Sequence, residues 1–262
     1  MIYSNFSVSV RLFSIFILSL LASGCASQES VSVKDPVSNT TNAQTEEQKE
    51  LERIYWERIQ AGRMKFVQAD VDFMTGMIVH HSQAIVMSQL AKDRTESRAI
   101  NVLAARIINA QKDEVALMQK WLRDRRQVVP IVRIEGLTMR VDLQEPPDMM
   151  LTPEQLLRMR SIHSGTRHTD GESNMPGMIT QKQIEVLATL KGIDFDEQFL
   201  SYMIEHHGGA VFMINELFAA DGSVNDEECY RLAVDIYAEQ VTEIDMMKLM
   251  LEEIKSNRQK TE

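Results

Sequence analysis

Two His-His pairs, each set among methionines, are the residues of this chain best suited to chemistry. Both copies read Met-x-x-His-His and end on a further Met: Met77, His80, His81 and Met87 in the first, and Met203, His206, His207 and Met213 in the second. Imidazole nitrogen and thioether sulfur together suit a soft transition metal, Cu(I) above all. The motif therefore predicts a metal site.

The spacing of each motif predicts that it lies on one face of a helix. At 3.6 residues per turn, six residues of the first copy fall within an arc of about 120°, the width of a buried stripe. They are Phe73, Met77, His80, His81, Ala84 and Met87. A Gln-x-x-Glu followed by Met occupies a similar stripe further along, as Gln111, Glu114 and Met118 and as Gln240, Glu243 and Met247. Buried polar groups without partners cost about 1–3 kcal/mol each. We therefore expect each Glu either to ligate a metal or to orient a His ring.

The ligand types discriminate between metals. A di-iron bundle supplies Glu-x-x-His from two of its helices, and neither copy contains that motif. Copper, with Cu(I) preferred, is the predicted ion, and zinc remains open through His with Glu114 or Glu243. The competing interpretation is packing alone, with Met as core filler and each His hydrogen-bonded to a Glu. The recurrence of the whole set favours the metal.

An internal repeat organises the chain. Positions from Phe73 to Met87 recur 126 residues later, as His80 does at His206, and the Gln-x-x-Glu segment recurs 129 residues later, as Glu114 does at Glu243. Long helices are predicted at about 70–92, 96–126, 196–220 and 225–255, because apolar residues there follow the helical period. A helix pair present twice predicts an all-α, four-helix bundle built from two repeated hairpins.

The two hairpins, about 70–127 and 194–257, are separated by a connection at 128–179 that is expected to be irregular in part. Short helices are predicted from Thr152-Pro153 and from Thr180 to Leu190, the latter stopped by Gly192. Strand-like alternation is confined to Val128–Val141. The connection also holds six further soft or imidazole donors, Met149, Met150, His163, His168, Met175 and Met178. They form either a second capture site or an ordinary loop, and we favour the loop.

The N-terminus resembles an export signal. Residues 1–24 combine Arg11 with an apolar stretch from Leu12 to Leu21, too short for a permanent membrane helix. The run Leu21-Ala22-Ser23-Gly24-Cys25 resembles a bacterial lipobox, so Cys25 is the expected lipidation site. Residues 25–45 then form a polar tether, and residues 46–262 form the duplicated domain. The predicted location is the cell envelope, with the protein lipid-anchored and facing the periplasm or the cell exterior.

Composition limits the classes of partner. The net charge of −10 becomes about −11 once Arg11 is removed with the signal, and an acidic chain lacks the basic surface that nucleic acid requires. Cys25 is assigned to lipidation, which leaves Cys229 without a disulfide partner. We expect Cys229 to be a buried core thiol, because it lies eleven residues before Gln240 on the same stripe. The predicted partners are a metal ion and, through the anchor only, a membrane.

Several segments together resemble the bacterial family called domain of unknown function 305: Phe73 to His81 with Ala84 and Met87, Met175-Pro176-Gly177-Met178, Phe195-Asp196, and Phe199 to His207 with Ala210 and Met213. The resemblance covers about Asp70 to Leu251. It implies a ferritin-like bundle, export and, as for several members, copper binding or copper and silver tolerance.

Three functions follow for testing. The leading hypothesis is a non-enzymatic protein that sequesters, transfers or confers tolerance to copper. The second is a metal-dependent redox enzyme on the same bundle, which no nucleophile-base pair in the motifs supports. The third is a metal-free structural or stress-related envelope lipoprotein, in which Glu114 and Glu243 satisfy the histidines.

Overall fold

The structure is a computed structural model and describes residues 45–63, 65–147 and 175–261. Over these residues the chain is mainly helical, which confirms the predicted class. The helices are α1 (Glu46–Arg63), α2 (Gln68–Gln89), α3 (Arg98–Asp124), α4 (Gln181–Thr189), α5 (Gly192–Ala219) and α6 (Glu227–Thr261). A 3₁₀ turn spans Ala91–Asp93, and the strands are β1 (Val129–Glu135) and β2 (Thr138–Gln144). The predicted signal peptide, Cys25, the tether up to residue 44 and the helix start at Thr152 lie outside the described residues.

Four of the helices form two hairpins. α2 packs along α3 and α5 packs along α6, and each pair is joined by a short connection. Helices joined in this way run antiparallel. α2 also packs against α5, and α3 contacts α6, so the first helices of the two hairpins meet. The observed helix ends lie within one or two turns of the predicted ones.

The junction between α4 and α5 differs from the prediction. α4 begins as expected, because Gln183 N donates to Thr180 Oγ1 at 3.2 Å and Thr180 N donates to Gln183 Oε1 at 2.9 Å. Gly192, however, is the first residue of α5, so this helix starts about one turn before the predicted Asp196. Its φ of +58° costs a glycine little. α5 therefore begins directly after Lys191.

Two elements carry weaker sequence signals. α1 is a charged helix whose Arg53 pairs with both Glu50 and Glu57, and its apolar residues Leu51 and Tyr55, although one helical turn apart, are exposed. In the connection, β1 and β2 form an antiparallel hairpin that turns at Gly136, whose φ is +65°. Gln119 in α3 donates to Pro130 O at 2.9 Å and ties this hairpin to the helices.

Two apolar cores lie along the bundle. The Phe195 core includes Met87, Ile107, Phe195, Phe199, Met203 and Met247. The Trp121 core includes Phe73, Met77, Met118, Trp121, Ile214 and Cys229. On α2, His80 and His81 lie between Met77 in one core and Met87 in the other, so the histidines separate the two cores. In the described part of the chain, every helix is too short or too polar to cross a lipid bilayer.

Candidate metal centre

The helices α2 and α5 bring the two His-His pairs together where they pack. The ring centroids of His80 and His206 are 3.8 Å apart, with 37° between the ring planes, and those of His206 and His207 are 6.2 Å apart. All four histidines have no solvent-exposed surface. Two sequence motifs 126 residues apart thus form one buried layer of imidazoles.

The Nε2 atoms of three histidines face an acceptor. His80 Nε2 donates to Pro176 O at 3.1 Å, and His207 Nε2 donates to Glu243 Oε2 at 2.8 Å. His81 Nε2 lies 2.9 Å from Glu114 Oε2, although the two groups are not aligned as a hydrogen bond. Neither ring nitrogen of His206 makes a well-aligned hydrogen bond, although a weaker contact with the backbone of His80 acts on the ring. The remaining nitrogen, Nδ1, is buried and unpartnered in all four rings.

Burial lowers the pKa of three imidazoles, those of His80, His206 and His207. Burial lowers the pKa of His80 to about 3, and the adjacent His81 adds to the effect, while the hydrogen bond to Pro176 opposes it. Burial, reinforced by His80, holds the pKa of His206 well below its ordinary value. The pKa of His207 is also lowered by burial, although Glu243 partly opposes the shift. A neutral imidazole that donates from Nε2 carries its lone pair on Nδ1, the form in which it ligates a metal.

The predicted Gln-x-x-Glu segments do face this layer, but the two residue types differ in their contacts. Glu114 and Glu243 are buried and each lies against one histidine of its own hairpin. Arg106 Nε lies 3.4 Å from Glu243 Oε1 and partly balances that charge. Gln111 and Gln240 are equally buried, and the amide oxygen and nitrogen of both are without a partner. Glu243 therefore bonds to an imidazole and Glu114 lies beside one, while each Gln adds unpaired polar atoms.

Glu239 was not indicated by the sequence stripe. It is half-buried beside Glu114 and Glu243, and burial together with the charges of those two carboxylates raises its pKa to about 7. Its position one residue before Gln240 places it at the margin of the α6 stripe. Only the three-dimensional approach of α3 and α6 brings the three carboxyl groups together.

The six predicted methionines divide into two sets related by the repeat. Met87, Met203 and Met247 belong to the Phe195 core, whereas Met77, Met118 and Met213 belong to or pack against the Trp121 core. The repeat maps one set onto the other, since Met77 corresponds to Met203, Met213 to Met87 and Met118 to Met247. Five are fully buried and Met213 is partly buried. The sulfurs therefore lie on both sides of the histidine layer rather than at one point.

Cys229 is a buried thiol in the Trp121 core, as the sequence predicted. It is fully buried, and its Sγ donates to Asp70 Oδ1 at 3.5 Å. Burial and the Asp70 carboxylate raise the pKa of this thiol. Its environment is therefore the opposite of the one that activates a cysteine as ligand or nucleophile.

Within the described ranges, no three His, Cys, Asp or Glu side chains are grouped so that they could hold one metal ion together. The contacts between nitrogen and oxygen donors are pairwise, as in His81–Glu114 and His207–Glu243. Four further predicted candidates, Met149, Met150, His163 and His168, lie outside the described residues. Met175 and Met178 are described, and both are partly buried.

Fold and site together define a class of protein, a duplicated helical hairpin that buries two His-His pairs between two methionine sets. The chain matches the family described as domain of unknown function (DUF305) over residues 70–251 and belongs to that family. This confirms the resemblance read from the sequence.

Solved structures give the same assignment. A DUF305 protein of Streptomyces coelicolor, described as secreted, has 27% sequence identity over 71% of this chain and 94% of its own, with a TM-score of 0.51. A DUF305 fragment from Deinococcus radiodurans has 26% identity over 72% of this chain and 98% of its own, with a TM-score of 0.50. CopM in the Cu(I)-bound form has 23% identity over 70% of this chain and 96% of its own, with a TM-score of 0.45. The last similarity is too low to transfer a ligand to this chain.

A curated relative matches a short part of the chain. The uncharacterized protein L153 of Acanthamoeba polyphaga mimivirus is 40% identical over 57 residues, which are 22% of this chain. The match spans only 38% of that viral protein.

Proposed function

We propose that this protein binds copper as Cu(I) in the cell envelope, for sequestration, transfer or tolerance rather than for turnover. The observation that carries the proposal is the set of four buried histidines whose Nδ1 atoms all lack a partner. In three of them, a carbonyl or a carboxylate lies at Nε2. Histidines that ligate metals are held in this way, with one nitrogen oriented by an acceptor and the other directed at the ion.

The energetics favour a ligand for these nitrogens. A buried polar atom without a partner costs about 1–3 kcal/mol, and the histidines alone contribute several such atoms. Metal binding normally competes with protons for its ligands. The lowered pKa of His80 and of His206 removes that competition at neutral pH. The site is therefore arranged for a cation that accepts imidazole without displacing a proton.

The neighbouring donors favour copper. Thioether sulfur is a soft ligand that suits Cu(I), whereas hard cations prefer oxygen. The methionine sets beside the histidines supply six such sulfurs, as Met77, Met87, Met118, Met203, Met213 and Met247. Zinc, which accepts imidazole and carboxylate, is the competing ion, with Glu114 and Glu243 as its oxygen donors.

The envelope location rests on the N-terminal signal, with Cys25 as the proposed lipid anchor. The Streptomyces relative, described as secreted, agrees with an exported protein. Growth with labelled palmitate tests the anchor. Label should enter the native chain and should be absent from Cys25→Ser.

Equilibrium dialysis against Cu(I) under reducing, anaerobic conditions tests the function. Native protein should bind Cu(I), and replacement of all four histidines by Ala should abolish binding. Because that variant leaves a cavity, His206→Gln is the second variant, since a neutral amide keeps most of the volume. It should lower the affinity about 10-fold or more. Unchanged binding by both variants would exclude these histidines as ligands.

One observation supports the metal-free alternative. The hydrogen bond between His207 and Glu243 is a complete buried pair that needs no ion. Metal analysis of protein purified from its native envelope separates the two functions. Copper at a fixed ratio to protein supports the proposal. Bound zinc without copper overturns the choice of copper and makes zinc the ion of the site. The absence of any metal supports a structural role.

A further inference from the structure

The segment Met175–Ile179 is fixed on α2 by one side chain. Gln83 Nε2 donates to Ile179 O at 2.8 Å, and Ile179 N donates to Gln83 Oε1 at 2.8 Å. Gln83 is buried, so both hydrogen bonds are shielded from water. The Gln83 amide thus pairs with both backbone groups of Ile179, as the backbone of a neighbouring β-strand would.

In the second repeat, the position equivalent to Gln83 contacts the same segment through a glycine instead of a glutamine. The repeat maps Gln83 onto Gly209. A Cβ on Gly209 would lie 2.1 Å from Pro176 O and 2.7 Å from Gly177 Cα, so any larger residue would push the segment away. Gly177, with a φ of +71°, likewise has to be glycine, because a Cβ there would lie 2.6 Å from Glu205 O. The two hairpins therefore differ at this position and hold one segment between them.

The segment makes the two central histidines unequal. Pro176 O accepts the hydrogen bond from His80, whereas His206, its partner in the repeat, has two unpartnered ring nitrogens. The segment therefore occupies one face of an otherwise symmetric layer. Of these two rings, His206 is the one that can offer either nitrogen to a ligand, according to its tautomer.

The same segment brings a thioether to the same side. The position that a Cβ on Gly76 would take is 3.8 Å from Met175 Sδ and 3.2 Å from Met213 Cε. Two methionine ends therefore meet over Gly76, one helical turn before His80. The repeat maps Gly76 onto Tyr202, so the second hairpin has a large side chain where the first leaves space for the two methionine ends. Met175 and Met213 are partly buried, whereas the other methionines of the site are fully buried.

We propose that Met175 is a further copper ligand, which binds Cu(I) together with Met213 and His206, and that Gln83 and Gly209 are positioning residues that hold it there. This rests on the proposed Cu(I) function. We place the entry of the ion on the side where the segment lies, because the two partly buried methionines meet there. Thioether and imidazole are the donors that Cu(I) accepts together.

Two matched pairs of variants test the proposal by Cu(I) competition with a chromophoric chelator. Met175→Leu keeps the volume but removes the sulfur, and Met178→Leu does the same three residues away in the same segment. Met175→Leu should weaken Cu(I) binding about 10-fold or more, and Met178→Leu should leave it unchanged.

The second pair tests the positioning. Gly209→Ala adds a methyl group that must displace Pro176, whereas Gly208→Ala adds one where nothing lies within 4 Å. Both changes raise helix propensity by the same amount, so a purely helical effect appears in both. Only Gly209→Ala should weaken Cu(I) binding. X-ray absorption at the copper edge of this variant should show one sulfur ligand fewer than in native protein, with the imidazole ligand retained.

The outcomes separate this proposal from the function on which it rests. If the native protein binds no Cu(I), both fail. If it binds Cu(I) and the four-histidine variant does not, yet Met175→Leu equals native protein, only the role of Met175 is overturned. If Met175→Leu weakens binding and Gly209→Ala equals Gly208→Ala, the ligand stands and the positioning role is overturned.

Discussion

The rings of His80 and His206 lie with centroids 3.8 Å apart and planes tilted by 37°, and the two residues occupy equivalent positions in the repeated hairpins. Equivalent residues meet in this way when two copies of a unit pack about an approximate two-fold axis. Both methionine sets are copies of one sequence motif, related by the repeat. The segment around Pro176 then breaks the symmetry, because it bonds to one ring only.

Acid should destabilise the metal-free protein through this layer. The pKa of His80 is about 3 in the folded chain against an ordinary 6.5, so between these values the unfolded chain binds more protons. The free energy of unfolding therefore rises with pH across this window, and stability present above pH 6.5 is lost progressively as the pH falls toward 3. Thermal melts from pH 7.5 to 4 measure the effect.

The control for this effect is His80→Gln, which removes one titrating ring and retains a polar side chain. Its melting temperature should fall less steeply on acidification than that of native protein. Identical slopes for the two proteins would mean that His80 is not held neutral by the fold.

The buried ion pair between Arg125 and Asp226, next to Trp121, should contribute more to the free energy of unfolding than any other single polar contact in that part of the bundle. Arg125 Nε donates to Asp226 Oδ2 at 2.9 Å, Trp121 Nε1 donates to Asp226 Oδ1 at 3.0 Å, and both charged side chains are buried. Asp226→Asn leaves the guanidinium without its main counter-charge and should cost about 3–5 kcal/mol in urea unfolding. Asp235→Asn, on an exposed site of the same helix, should change stability by less than about 0.5 kcal/mol. Equal effects would exclude a dominant role for this pair.

Cys229 should be chemically silent in the folded protein. Burial and the neighbouring Asp70 raise its pKa, and the thiolate is the reactive form. In a Cys25→Ser background, a thiol reagent at pH 8 should label Cys229 only after denaturation. The matched control adds Tyr230→Cys, an exposed neighbour that should react at once in the native state. Rapid native labelling of Cys229 would show that the core around it opens.

The asymmetry around Pro176 predicts that equivalent methionines contribute unequally. Met213 meets Met175 over Gly76, whereas its repeat partner Met87 is buried in the Phe195 core. Met213→Leu should therefore weaken Cu(I) binding, and Met87→Leu should change it less. Competition with a chromophoric chelator compares them directly. A larger loss from Met87→Leu would place the ion on the other side of the histidine layer.

Helical periodicity carried much of the information about the centre. The stripe that runs through Met77, His80 and Met87 follows from spacing alone, and so does the partner stripe with Glu114. A repeat of 126 residues then implies that the two stripes meet, as they do at His80 and His206. Burial of all four histidines follows from the same pattern, because apolar residues occupy the positions around them.

Contacts between distant segments could not be inferred in this way. Gln83 reaches Ile179 across 96 residues, and Arg125 reaches Asp226 across 101, and no local period encodes either pair. Only the assembled bundle shows that Gly209 leaves room for Pro176.

X-ray absorption at the copper edge of Cu(I)-loaded protein tests the central claim most directly, because it identifies the atoms bound to the ion. We expect imidazole nitrogen and thioether sulfur in the same coordination sphere, with loss of the imidazole contribution in His206→Gln. Copper bound by nitrogen and oxygen only, or a spectrum unchanged in the variant with all four histidines replaced, would contradict a histidine-methionine copper centre.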